Sequence, residues 1–284
     1  MSLRTPVTAG IDGSPESLTA ADEAAREALL RDLPLHLVHV FDQPSQRTRL
    51  PEIEVPFHRE SGALDRAVLK ISDTYPALGI IDEQVTGPPV EALLAAAETS
   101  ALLAVGSRGF GSVTGALIGS VALAVAARAT CPVLLVRAGE EAPKARQGPA
   151  AGPYAPVLMG LDLNHPCDEL LEFAFLAATL RDAPLHVMHT WTHPLGPSTD
   201  ATAPAVTKSH LLTSALAPWQ HKFPGTRVIE RLVHGAAGHH LVNAASTASL
   251  LVLGRPISAG PRLGATAHKA IHRATCAVAI VPHA

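Results

Sequence analysis

The chain repeats itself, and this repetition limits its architecture more than any other feature of the sequence. Arg31-Asp32-Leu33-Pro34-Leu35-His36-Leu37-Val38-His39 recurs as Arg181-Asp182-Ala183-Pro184-Leu185-His186-Val187-Met188-His189, and Gly10-Ile11-Asp12 recurs with the same displacement as Gly160-Leu161-Asp162. Arg128-Ala129-Thr130-Cys131 returns as Arg273-Ala274-Thr275-Cys276, displaced by slightly less. Three matches in one order indicate duplication of a unit of about 140 residues, too long for a solenoid repeat and long enough for a whole domain. The 284-residue length suits two such domains. Between the copies, Ala138–Pro156 is rich in Ala, Pro and Gly and has no apolar period, so it reads as a linker. The expected division is residues 1–140, a linker at 141–155, and residues 156–284.

Within the first copy, strand-length apolar runs alternate with amphipathic stretches. Pro6–Ile11, Leu35–Val40, Gly79–Val85, Ala101–Val105 and Pro132–Arg137 are rich in Val, Ile and Leu. Leu64, Ala67, Val68 and Ile71 recur at helical spacing, as do Val90, Leu93, Leu94 and Ala97, and the stretches Leu18–Leu30 and Val121–Ala127 are helical in composition. Such alternation predicts an α/β domain: a doubly wound, Rossmann-like parallel sheet with helices on both faces. Aromatic residues make up only 4% of the chain, so its core must be built from Ala, Val and Leu, which favours helices lying close on a sheet.

Several classes of protein are disfavoured. A formal net charge of −3 does not suit a polycationic DNA-coating protein, and no DNA partner is expected. The longest apolar candidate for a membrane span, Val121–Ala127, is too short and runs into Arg128, so no membrane partner is expected. Met1–Pro6 lacks the apolar run of a secretory signal. Three cysteines, Cys131, Cys167 and Cys276, form neither a disulfide framework nor a CxxC metal pattern; they read as buried thiols in a reducing cytoplasm.

Ligands of open α/β sheets bind beyond the carboxyl ends of the strands, where the strand order reverses. The first strand is followed by Asp12-Gly13-Ser14-Pro15, in which Gly13 permits a tight turn, Ser14 is able to cap a helix and Pro15 suits its first position. Taken alone, this turn reads first as a helix start. The fourth strand is followed by Gly106-Ser107-Arg108-Gly109-Phe110-Gly111 and, further on, by Gly119-Ser120 opening a helix. The glycines let backbone N–H groups approach an anion, and a helix N-terminus favours phosphate. Ser120 adds a hydroxyl and Arg108 a mobile charge. The spacing is neither that of a Walker loop nor that of the GxGxxG turn of dinucleotide-binding domains.

These residues resemble the universal stress proteins in their tandem two-domain form. The nucleotide motif of that family, G-x2-G-x9-G-[ST], is matched by Gly106, Gly109, Gly119 and Ser120, and the aspartate at the end of its first strand by Asp12. The resemblance spans nearly the whole chain. It implies a five-stranded parallel α/β domain that binds ATP, with Mg2+ as the accompanying ion, and serves as a regulatory or sensing module in stress response. By position, Asp12 would lie at the adenine and Val40 would offer a backbone contact to the base. Gly106, Arg108 and Gly109 would line ribose and phosphates, with Gly119, Ser120 and Val121 on the phosphate tail. Gly10, Gly13 and Ser14 complete the set of candidate contacts. No acid–base pair or nucleophile stands out in that set, so a binding protein is expected rather than an enzyme.

The resemblance further implies that the last strands, Pro132–Arg137 and Ala277–Val281, which pair between subunits in the family, pair within this chain as a pseudo-dimer. A homodimer and a regulatory protein partner are further expectations of the same kind.

The second copy departs from the motif. It keeps Gly160, Asp162 and Gly254, and Gly264-Ala265 aligns with Gly119-Ser120. Its intervening loop is shorter, carries Pro256 and Pro261, and places Ile257 where Gly109 stood. A weak or absent nucleotide site is expected there, with Arg255 and Arg262 as candidate compensating phosphate ligands.

Twelve of the fifteen histidines lie from His165 onward. His268 and His272 have the spacing of two metal ligands on a helix, but no third ligand is evident, and packing or solvated histidines are the plainer reading. His36, His39, His186 and His189 sit in strands at a spacing that points each pair to opposite faces, and read as structural. Two other functions stay open: a slow ATP hydrolase or ATP pyrophosphatase on a related fold, and a phospho-receiver domain. The first strand ends short of a pyrophosphatase loop. The receiver would need an acidic pair where Asp12 stands alone, and Asp82 falls inside the third strand rather than at its end.

Overall fold

A computed structural model describes residues 5–41, 58–107, 119–137, 154–165, 167–192 and 203–284. The chain divides into two compact units, Met1–Ala138 and Gly139–Ala284. The first unit runs β1 (Val7–Ile11), α1 (Pro15–Arg31), β2 (Leu35–Phe41), α2 (His58–Thr74), β3 (Ile80–Thr86), α3 (Pro89–Ala97), β4 (Leu102–Ser107), α4 (Ser120–Arg128) and β5 (Val133–Arg137). Its strands are parallel and lie in the order β3-β2-β1-β4-β5. Val7 pairs with Leu35 on one side and Leu102 on the other, so β1 and β4 flank the point where the chain reverses its direction of growth across the sheet.

The second unit repeats this plan as β6 (Val157–Gly160), α5 (Asp168–Leu180), β7 (Leu185–Trp191), α6 (Ala203–Lys222), β8 (Val228–His234), α7 (Ala237–Ala245), β9 (Leu250–Pro256), α8 (Ala265–Arg273) and β10 (Ala277–His283). Its parallel order is β8-β7-β6-β9-β10. The last strand extends two residues past the expected Val281. Most of the expected linker lies outside the described residues.

Local chemistry explains where α1 begins and ends. Ser14 is its N-cap, accepting a hydrogen bond from the Ser17 amide at 3.1 Å, and Pro15 follows where a missing N–H costs nothing. The helix therefore starts earlier than the expected Leu18. It stops at Asp32, which adopts the left-handed conformation with φ 53°; the repeat places Asp182 in the same conformation after α5. The shared Arg-Asp-x-Pro sequence is thus a helix stop in both units.

The core of the first unit is aliphatic, as the scarcity of aromatic residues suggested, whereas the second unit also buries Phe173 and Phe175, the latter against Phe223 with ring centroids 5.6 Å apart. Ala20, Ala21, Ala24, Ala25 and Ala28 form a fully buried stripe along α1, whose short side chains let the helix axis lie close over β1 and β4. Leu35, Leu37, Leu102 and Leu103 fill the strands beneath. The buried hydroxyl of Thr8 meets that of Ser100 at 2.6 Å, and Ser100 also bonds the Ala96 carbonyl at 2.7 Å, so neither is left unsatisfied. The edge strand β3 is the exception to full coverage: Ile81 to Gln84 are exposed. Asp82 lies inside β3 as expected.

The strand histidines make structural bonds. The imidazole of His39 is buried and its Nδ1 donates to the Ile11 carbonyl at 2.6 Å; His189 does the same to Leu161 at 2.9 Å. Each bond ties the end of the first strand of its unit to the second. His36 faces the other way and meets Glu83 on β3 at 3.0 Å.

Cys131, Cys167 and Cys276 are buried and outside any disulfide, and burial pushes the Cys131 thiol up to about 11. A thiol so disposed carries almost no thiolate near neutrality. Iodoacetamide at about pH 8 is expected to leave Cys131 unlabelled in the native protein and to label all three cysteines in urea, as read by peptide mass spectrometry. Rapid native labelling of Cys131 would contradict its burial.

Candidate functional site

A cavity of about 590 Å3 opens in the first unit beyond the carboxyl ends of β1, β2 and β4. Of the residues expected at a ligand site, Gly10, Asp12, Ser14, Val40, Gly106, Gly119, Ser120 and Val121 line it. Gly13 does not line it but shapes its rim: φ is +82°, a conformation that suits glycine, and it turns the chain from β1 into α1. Arg108 and Gly109 lie outside the described residues.

The turn after β1 is held by its own side chains. Asp12 Oδ1 accepts both the Ser14 amide, at 2.9 Å, and the Ser14 hydroxyl, at 2.5 Å. Burial works to raise the Asp12 carboxyl, but hydrogen bonds, chiefly from Ser14 and also from the Ser17 side chain and its own backbone, outweigh it and hold the group below its ordinary value. Asp12 is therefore a carboxylate at neutral pH, and because both Ser14 bonds fall on Oδ1, Oδ2 retains acceptor capacity toward a ligand N–H or O–H.

The opposite wall has the reverse polarity. Gly119 is the N-cap of α4 and supplies no side-chain cap, so the first amides of the helix, among them Ser120 and Val121 at the cavity wall, keep their donors and the positive end of the helix dipole. A Cβ added at Gly119 would meet no atom within 4 Å among the described residues. The glycine thus leaves open space in front of the helix end. Among the described lining residues, Asp12 and Glu16 are the only charged side chains.

Gly106 has a different reason to be glycine. A Cβ there would lie 2.6 Å from the Glu16 carbonyl carbon and 2.8 Å from the Ser17 amide nitrogen, both backbone atoms. Besides lining the cavity, this glycine seats the first turn of α1 on β4. Sequence reasoning also missed Pro89 and Leu93 of α3, which complete the apolar wall beside Val38 and Val105. The sole signal for Leu93 was its place on the buried face of a helix.

The second unit has a cavity of about 950 Å3 in the corresponding place, lined in part by Gly160, Asp162, Gly254, Gly264 and Ala265. Gly264 is the N-cap of α8 as Gly119 is of α4. Between β9 and α8 the chain forms a short 3-10 turn, Ile257–Ala259, in place of a glycine-rich loop. Of the two arginines expected to reach phosphate, Arg262 lines the cavity; Arg255 corrects that expectation, since it is 5% exposed within β9 and is not part of the wall. No group of three or more His, Cys, Asp or Glu among the described residues could hold a metal ion, the His268–His272 pair included.

With this geometry in hand, the relationships of the chain become informative. The model of the universal stress protein family matches residues 4–137 and 153–282. The chain belongs to that family, as two tandem copies. A universal stress protein of Mycolicibacterium smegmatis is 27% identical over 97% of this chain and 96% of its own length. Universal stress protein Rv1996 of Mycobacterium tuberculosis is 29% identical over 87% and 84%. In fold, the chain is similar to the crystal structure of a universal stress protein from Archaeoglobus fulgidus, with a TM-score of 0.67, 17% identity and 99% of each chain covered.

The contrast between the two glycines is measurable. Gly106→Ala is expected to destabilise by about 3 kcal/mol, because helix backbone must move to admit the methyl group. Gly119→Ala is expected to cost at most about 1 kcal/mol, the loss of a tolerated N-cap residue. Urea denaturation midpoints compare the two, and equal losses would refute the close seat of α1 on Gly106.

Proposed function

We propose that the first unit binds ATP in the cavity between β1 and β4, and that the chain acts as a nucleotide-dependent regulatory module in stress response. The observation that carries this reading is the opposed polarity of the two walls. Asp12 offers a carboxylate suited to the amino group of adenine, and the uncapped start of α4 offers amides to a phosphate chain. The aliphatic wall of Val38, Leu93 and Val105 suits the flat faces of a base. Membership of the universal stress protein family supports both the ligand and the regulatory role.

A binding function is the better reading than catalysis. The Ser14 hydroxyl is committed to Asp12, the Ser17 hydroxyl bonds the Ser14 carbonyl, and the charged groups named above are both acidic. Mg2+, if it accompanies the ligand, would arrive on the phosphates, where magnesium usually keeps several waters of its own. No helix of the described residues is long and apolar enough to cross a membrane. Three buried thiols outside any disulfide support a reducing, cytoplasmic location, and the edge strand β3 is available to a second copy or to a regulatory partner.

Protein purified without added nucleotide and then denatured is expected to release close to one equivalent of ATP per chain. Gly119→Val should lower that occupancy at least tenfold while leaving the thermal midpoint nearly unchanged, because the added side chain meets no atom of the described residues and stands where the phosphate chain would lie. Unchanged occupancy in that variant would reject the site. Rapid multiple-turnover release of phosphate by the wild type would replace the binding module with a hydrolase.

A further inference from the structure

The helix pair α7–α8 differs from its counterpart α3–α4, and the differences in charge all run one way. The helices match in length, and Leu93 and Leu241 hold the same place, each against the glycine of its unit's first strand. On that alignment Glu91 and Ala92 of α3 become His239 and His240 of α7, while Leu123, Ala124 and Ala127 of α4 become His268, Lys269 and His272 of α8. Arg128 and Arg273 are shared. In the first unit Arg128 meets Glu91 at 3.6 Å and joins the two helices; the second unit has an imidazole in place of that carboxylate.

These side chains come together in space. His268, Lys269, His272 and Arg273 line a shallow hollow of about 490 Å3, with the rings of His268 and His272 4.4 Å apart. Lys269 also reaches α7: a Cβ added at Gly238 would meet its Cδ at 2.9 Å. Gly238 stands where α3 has Val90, and Lys269 where α4 has Ala124, so the large and the small side chain have exchanged helices and the lysine stem gains a groove. His239, His268 and Arg273 are exposed. His239 Nε2 lies 3.2 Å from the Asn243 side-chain amide, whose oxygen serves a charged ring as its nitrogen serves a neutral one. The strands packed against the two helices, β6, β7, β9 and β10, add only His186, His189, Arg255 and His283 to the titratable side chains, and no Asp or Glu follows Glu230 in the chain. Like charges one turn apart weaken a helix, so this arrangement does nothing for α8 itself.

We propose that the α7–α8 face docks an acidic segment of a partner protein, a run of Asp or Glu side chains, and holds it more tightly as the pH falls. Lys269 and Arg273 supply charge throughout, and histidine is the side chain that takes up charge between about pH 8 and 5. The formal net charge of −3 opposes a long polyanion such as a nucleic-acid duplex, whereas a short run of carboxylates meets only the local patch. A membrane surface would call for apolar anchors beside the charges, and no large hydrophobic residue of α7 or α8 is exposed. The face belongs to the second unit, so its test stands apart from the nucleotide site proposed in the first.

The probe is a rhodamine-labelled octaglutamate peptide, whose anisotropy is followed as the full chain is added in about 50 mM salt. Its carboxylates stay ionised at about pH 6, where binding is expected to be about fivefold tighter than at about pH 8. Lys269→Gln combined with Arg273→Gln should weaken the peptide about fivefold at both pH values. His239→Gln combined with His268→Gln changes exposed positions alone, and should leave the affinity at the higher pH unchanged while removing most of the gain at the lower one. His239→Glu restores the carboxylate of the first unit and should weaken the peptide at both. Thermal midpoints and ATP content are expected to be the same in all three variants. The proposal is overturned by absent binding at about 1 mM peptide, by affinity indifferent to the lysine and arginine changes, or by a pH gain that survives the histidine changes. It is equally overturned if a short DNA duplex or phosphatidylserine vesicles bind more tightly than the peptide in a way that requires Lys269 and Arg273.

Discussion

The contact on which the first unit depends is the backbone-to-backbone seat of α1 on β4. Glycine at position 106 lets the Glu16 carbonyl and Ser17 amide approach within a distance that any side chain would forbid. The alanine stripe continues that approach along the helix, so the helix axis follows the β1–β4 groove instead of standing off on bulky side chains. Its consequence is positional. With the first turn of α1 pinned, the Asp12-Gly13-Ser14 turn has little freedom, and the Asp12 carboxylate is set by two bonds to Ser14 at the cavity rim. Packing that looks purely structural therefore places the group best suited to choosing a ligand.

In the second unit this seat is released, and the cavity changes with it. Its helix α5 begins at Asp168, whereas the repeat places the equivalent of Pro15 at His165, so the first turn of the helix is absent. A Cβ on Gly254 would meet His283 Nε2 at 2.9 Å rather than helix backbone. An imidazole occupies ground that a helix turn holds in the first unit, and the aspartate turn, freed from helix capping, folds onto Asn164 and His165. One local change of helix start thus alters both the shape and the hydrogen-bond inventory of the cavity. The sheet beneath stays the same: Val7↔Leu35 and Val157↔Leu185 are the same pairing in the two copies.

Much of this was legible in the sequence, and its limits have physical causes. Strands and helices were readable because apolar periodicity is local, and the Ser14 cap and the Gly119 helix start were readable because capping chemistry spans only three or four residues. The duplication exposed the second unit through the first. What could not be read was anything set across the fold. Gly106 signalled a close approach without naming Glu16 as the partner. Leu93 read as core, since a residue on a buried helix face looks the same whether it faces the sheet or a cavity. Arg255 looked like a phosphate ligand because sequence does not tell on which side of a strand end a side chain emerges.

The histidines carry the same lesson further. His39 and His189 occupy equivalent positions and make the same bond to the strand beside them, so no local pattern separates them. They differ through a neighbour two residues on. Phe41 makes a T-shaped contact with His39, whereas Trp191 makes one with His234 on β8. The larger indole finds a partner across the strand pair, and His189 borders the cavity of its unit. What varies between the copies is the setting of one shared bond: His189 borders the cavity of its unit and His39 does not, while both imidazoles bury an Nε2 with no hydrogen-bond partner among the described residues.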